Sequence, residues 1–268
     1  MKTQIDSLQN LIETLQSQGQ YWFLKENLIK ELDMSENAFL KASSRLIKKA
    51  KLARIYRGFY VIVPLEYYNS GCLPVSWFIH ALMEYLDQPY YVALLTAAGI
   101  HGSSHQQAMA FQIITHKPIR KIIAGRLRIE FCYKKNIRND FYQPIKTASG
   151  FMHVSTPEMT AFDLVHYANA SGQLQHVTTV LLELAEKLNP EILTSYVKND
   201  EVEIPTAQRL FYLLDLLKIK IDLREAESEL KLKKPVKKIL VPRNHSPILE
   251  YNERWKILVN ETLEPDDL

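Results

Sequence analysis

Within the first 63 residues the hydrophobic period changes once, from helical three- and four-residue spacing to a strand-like run, and this order restricts the fold more than any other feature. Ile5, Leu8, Leu11, Ile12 and Leu15 recur at helical spacing with Gly19 after them, which predicts a helix over 4–18 with a glycine stop. Leu24, Leu28, Ile29 and Leu32 line a short second helix, and Asp33 to Ser35 break it. Ser35 suits the N-cap of a third helix. Its inner face would carry Phe39, Ala42, Leu46 and Ala50, leaving Asn37, Lys41, Ser44, Arg45 and Lys48 outward. Leu52 to Val63 is then rich in branched and aromatic residues, with Arg57-Gly58 as the turn of a hairpin.

Three helices followed by a hairpin is the order of a winged helix-turn-helix, expected here over residues 1–66. Charge gives that order a direction. Between Lys41 and Arg57 stand Lys41, Arg45, Lys48, Lys49, Lys51, Arg54 and Arg57 with no Asp or Glu among them, although the whole chain carries only +3. In such a fold the third helix fits a DNA major groove, while a hairpin bearing Arg54, Tyr56 and Arg57 lies along the backbone or probes the minor groove. Lys48, Lys49 and Lys51 are then placed for phosphates, and Asn37, Lys41, Ser44 and Arg45 for base edges. The competing reading is a solvated helix and hairpin surface, as most Lys-rich stretches are.

A chain of 268 residues exceeds the usual single-domain size of about 100 to 150 residues, so a second, larger domain of mixed helix and strand is expected over 67–268, making the fold class α+β. Residues 64–74 read as the linker. Trp77 to Leu86 and Tyr91 to Ala98 read as a helical hairpin interrupted by Gln88-Pro89. Strands follow at Phe111 to Thr115 and Leu127 to Tyr133, with Ala124-Gly125 as a turn. Thr156-Pro157-Glu158 is a helix start, and helices are expected over 157–169, 174–188, 190–198 and 205–219. Trp255 to Val259 reads as a last strand.

Signals for catalysis or metal are sparse. His101 and His105 are four apart but have no evident third ligand, and His80, His116, His153, His166 and His176 are scattered, so no metal and no cofactor is expected. No GxSxG turn, Gly-rich phosphate loop or HExxH occurs, and Glu225, Glu227 and Glu229 lie beside lysines, as on a solvated helix. No catalytic residue is therefore assigned, and the chain is expected not to be an enzyme. Arg126, Arg128, Lys134 and Lys135 leave open a site for a phosphorylated substrate, a second nucleic-acid surface or the outward face of a strand. Cys72 and Cys132 form no CxxC, which fits a reducing compartment. With a polar Met1 to Asn10 and no run of roughly 20 apolar residues, a cytoplasmic protein without a membrane partner is expected.

The stretches Tyr90-Tyr91-Val92-Ala93-Leu94-Leu95-Thr96-Ala97-Ala98-Gly99-Ile100-His101-Gly102, Phe111-Gln112-Ile113-Ile114-Thr115 and Ser155-Thr156-Pro157-Glu158-Met159-Thr160-Ala161-Phe162-Asp163-Leu164-Val165 resemble the AbiEi family of type IV antitoxins. Asn252-Glu253-Arg254-Trp255-Lys256-Ile257-Leu258-Val259-Asn260 looks like that family's C-terminal signature. The resemblance implies a two-gene abortive-infection system. In it the N-terminal domain binds double-stranded DNA of its own promoter as an autorepressor, and the C-terminal domain counteracts a nucleotidyltransferase-like toxin, directly or functionally. A winged-helix transcription factor whose second domain senses a ligand or mediates assembly is the alternative.

Overall fold

A computed structural model describes residues 2–103, 109–242, 244 and 246–264, with the backbone alone over 2–7. It is a mixed α+β structure. The chain forms two compact units, Met1–Val92 with Met109–Val154, and Ala93–Ala108 with Ser155–Leu268.

The first unit opens with α1 (Lys2–Ser17), β1 (Trp22–Leu24), α2 (Lys25–Glu31), α3 (Glu36–Lys48), β2 (Leu52–Tyr56) and β3 (Phe59–Ile62). The strands form a small sheet in the order β1-β3-β2. The helical faces predicted from spacing turn inward: Leu8, Ile12, Leu28, Phe39, Ala42 and Leu46 share one core with Phe23, Leu52 and Tyr60. Tyr60 stacks on Phe23 at 5.5 Å between centroids and meets Phe39 edge-on at 5.4 Å. Two details differ from the sequence reading. Leu24 ends a strand instead of entering the second helix, because Trp22–Leu24 pairs antiparallel with β3, a partner far along the chain. Ala50 lies beyond the C-cap Lys49 and is only half-buried.

Of residues 64–74, expected as a linker, Leu65, Glu66, Asn69 and Ser70 are exposed, while Pro64, Cys72 and Leu73 are buried. Next come α4 (Ile79–Tyr85) and β4 (Tyr90–Val92), and then α5 (Leu94–Ile100), which belongs to the second unit. The predicted helical hairpin over 77–98 is therefore half strand. Tyr90–Val92 pairs antiparallel with β5 (Phe111–Thr115), and Val92 also pairs with Val154. Aromatic and branched side chains favour that pleated, buried setting. After β5 follow β6 (Ile122–Ala124), β7 (Leu127–Tyr133), β8 (Tyr142–Thr147) and β9 (Gly150–Ser155), giving a six-stranded sheet in the order β6-β7-β5-β4-β9-β8.

The second unit continues with α6 (Pro157–His166), α7 (Gln173–Leu184), α8 (Pro190–Lys198), α9 (Ile204–Leu216) and α10 (Arg224–Leu232), then β10 (Lys238–Ile239), β11 (Glu250–Asn252) and β12 (Ile257–Val259) in a second small sheet. Thr156 caps α6, its hydroxyl accepting from the Met159 amide at 3.2 Å. α6 and α9 are buried on most sides, and the burial of α6 includes the polar Glu158, Thr160 and Asp163. Phe211 lies between Phe162, at 6.1 Å, and the fully buried Trp255, at 5.2 Å. The Trp255 indole N–H donates to Asp215 Oδ2 at 2.6 Å, and Arg254 Nη1 binds the same oxygen at 2.8 Å. No described helix is long and apolar enough to cross a membrane.

Candidate nucleic-acid interface

α3 is fixed at its start and along one face. Ser35 Oγ accepts from the Ala38 amide at 3.3 Å, as its N-cap role requires. Lys25 Nζ reaches Glu36 Oε1 at 2.6 Å, tying the start of α2 to the start of α3. That contact holds the Glu36 carboxyl below its ordinary pKa and the Lys25 ammonium above its own. Phe39, Ala42, Ser43 and Leu46 fill the buried face. Asn37, Lys41, Ser44, Arg45, Lys48 and Lys49 are all exposed, while Lys51 is half-buried just past the helix.

The hairpin after α3 presents Arg54, Tyr56 and Arg57 to solvent. Its register slips between Arg54 and Tyr56, a bulge that sharpens the local twist next to the turn. The turn itself is anchored from outside: Tyr85 Oη donates to the Arg57 carbonyl at 2.9 Å. Gly58 has φ 85°, and a Cβ there would run into the Tyr85 hydroxyl. The structure thus brings all ten predicted residues onto α3 and the adjoining hairpin. Among the described residues Lys41, Arg45, Lys48, Lys49, Lys51 and Arg54 have no ion-pair partner.

The basic quartet Arg126, Arg128, Lys134 and Lys135 is not one site. Arg128 and Lys134 are six residues apart along the extended β7, roughly 20 Å at the rise of a strand. Lys134 instead reaches the Tyr91 hydroxyl at 3.3 Å and stands 5.0 Å over the Phe141 ring. Arg126 and Arg128 belong with Lys117, Arg120 and Lys121 around β6, a basic run that sequence reading missed although no acid interrupts it.

His101 is buried and its Nε2 donates to the Ser155 carbonyl at 2.8 Å; burial holds its pKa below the ordinary histidine value. That carbonyl contact is the packing alternative to a metal role, and His105 lies outside the described residues. Among the described residues no three His, Cys, Asp or Glu side chains converge on a metal position. Two of the scattered histidines do meet. His80 and His153 lie 5.1 Å apart between ring centroids, His80 Nδ1 contacts Tyr90 Oη at 3.2 Å, and His153 stacks on Tyr142 at 4.5 Å. In sequence only the alternation of Phe151 and His153 on one strand hints at this cluster. In the second unit a cavity of about 720 Å³ is lined by His166, Glu203, Arg209 and Glu261 among others. Arg209 is spent on backbone there, donating to the Ile239 and Leu240 carbonyls at 2.9 to 3.1 Å.

No curated protein matches the chain. The fold is similar to the crystal structure of the RV2827C protein from Mycobacterium tuberculosis, with a TM-score of 0.65 over 93% of this chain and 89% of that one. At 12% identity this likeness concerns the fold alone. Residues 91–216 match the family model of the AbiEi antitoxin C-terminal domain. That match, over 126 of the 268 residues, supports an AbiEi-family antitoxin.

Proposed function

We propose that the chain is a cytoplasmic DNA-binding autorepressor and antitoxin, with a winged helix over residues 1–66 that reads its own promoter and residues 67–268 counteracting a nucleotidyltransferase-like toxin without catalysis. One observation carries the DNA half: a capped helix buries Phe39, Ala42 and Leu46 and leaves Asn37, Lys41, Ser44, Arg45 and Lys48 outward, beside a hairpin exposing Arg54, Tyr56 and Arg57. A surface whose Lys41, Arg45, Lys48 and Arg54 have no ion-pair partner among the described residues, next to a helix of groove-fitting size, is what sequence-independent phosphate attraction and base-edge contact need. α3 contributes the base-reading positions Asn37, Lys41, Ser44 and Arg45; Lys48, Lys49 and Lys51 contribute phosphate contacts.

The toxin half is supported by the family match. Its test is co-expression with the product of the adjoining gene. Growth should be rescued by the full chain and also by a variant with Arg45→Ala and Lys48→Ala, while only the full chain should silence a reporter driven by the upstream region. Silencing by both proteins would refute the assignment of these residues to the operator, and failure of both to rescue growth would refute the antitoxin half. The cavity beside His166 and Arg209 favours a second reading, a ligand-sensing transcription factor. That reading requires repression to change with a bound small molecule and growth rescue to be absent.

A further inference from the structure

The exposed surface of α3 is not uniformly polar. Leu40 and Ile47 are 42% and 38% exposed on it, and neither belongs to the core that Phe39, Ala42 and Leu46 help to fill. At 3.6 residues per turn, successive side chains on a helix are about 100° apart. The buried Phe39, Ala42, Ser43 and Leu46 set the inward direction, and the direction opposite them passes between Asn37 and Lys48. Leu40 lies about 70° to one side of that outward axis and Arg45 about 70° to the other. Ile47 lies about 90° off it, on the flank of the helix.

Leu40 also stands at the end of α3 that matters for reading. It is the fifth residue of the helix, whereas Ile47 is the twelfth. Recognition helices contact base edges through their N-terminal residues. Within one turn of Leu40, Asn37, Lys41 and Ser44 are exposed hydrogen-bond donors, and the Glu36 carboxylate is held by Lys25. A lone leucine ringed by such groups is a poor centre for a protein interface, whose core is depleted of charge. It matches a partner that carries a methyl group among hydrogen-bonding atoms. Thymine has that edge: its C5 methyl projects into the major groove beside the O4 acceptor.

We propose that Leu40 is a specificity-determining residue of α3, its side chain packing on the C5 methyl of one thymine per bound copy while Asn37, Lys41 and Ser44 meet the hydrogen-bonding atoms around it. The proposal rests on the DNA-binding reading above and adds to it a base identity that the polar residues alone do not supply. Because the contact involves no phosphate, it changes affinity without changing the salt dependence.

The test uses the full chain and a duplex of its own upstream region in two forms, one with thymine and one with every thymine replaced by uracil. That replacement removes the methyl and leaves every hydrogen-bonding atom in place. Wild type should bind the uracil duplex about fourfold more weakly, the worth of one buried methyl-sized group. Leu40→Ala keeps the helix, since the site is exposed and alanine is a strong helix former. This variant should bind the thymine duplex about fourfold more weakly than wild type, bind both duplexes equally and keep the wild-type salt slope. Ile47→Ala, which also removes an exposed apolar side chain from α3, should keep the preference for thymine. Replacing thymines one at a time should trace the wild-type loss to a single base pair per bound copy. Wild type that binds both duplexes equally overturns the proposal, and so does a Leu40→Ala protein that still prefers thymine or an Ile47→Ala protein that does not. If Arg45→Ala with Lys48→Ala binds the thymine duplex as wild type does, it is the DNA reading itself that has failed.

Discussion

Replacing Gly58 by Ala tests how the hairpin beside α3 is held. Two costs arise at that position. An alanine at φ 85° pays for the left-handed backbone, about 1 to 2 kcal/mol. Its methyl also displaces the Tyr85 hydroxyl, breaking the 2.9 Å hydrogen bond to the Arg57 carbonyl, a loss of about 1 kcal/mol. Tyr85→Phe alone removes the same bond and also removes the obstacle. In the double variant the bond is lost once, so the two single effects should overcount by about 1 kcal/mol. Urea denaturation of the four proteins gives the cycle directly. Additive effects would show that Tyr85 does not hold the turn. A Gly58→Ala protein as stable as wild type would show that the turn does not require a positive φ.

Other predictions follow from single contacts. Trp255→Phe keeps an aromatic ring against Phe211 but removes the indole donor to Asp215, so it should destabilise the protein by about 2 kcal/mol or more in the same assay, and wild-type stability would refute the role of that bond. Burial, with the His80 charge second, holds the His153 pKa below its ordinary value, so the folded state binds fewer protons there than the unfolded chain. Stability should therefore fall as pH drops below about 6.5, and His153→Phe, which preserves the stack on Tyr142, should flatten that fall; an unchanged pH profile would contradict it.

What could be read from sequence was local. The cap at Ser35, the glycine stop after α1 and the turn at Arg57-Gly58 each depend on a few adjacent residues, and the structure has them where spacing and turn chemistry put them. The cap at Thr156 and the bounds of α8 follow the same logic. Strands with distant partners were not legible. Trp22–Leu24 is a strand because of β3, and Tyr90–Val92 because of β5 and β9, while their own spacing suits a helix equally well. β8 and β9 gave no sequence reading at all. The basic residues of the candidate site were legible because they form one uninterrupted run.

The most direct test of the central claim is the salt dependence of binding to the chain's own upstream DNA, compared between wild type, Arg45→Ala with Lys48→Ala, and unrelated DNA. Wild type should bind the upstream duplex tightly, and the double variant should bind it weakly with a slope flatter by about 0.9, the one phosphate contact assigned to Lys48. Equal and weak binding in all three pairings would contradict the claim, leaving α3 and its hairpin without a role in DNA recognition.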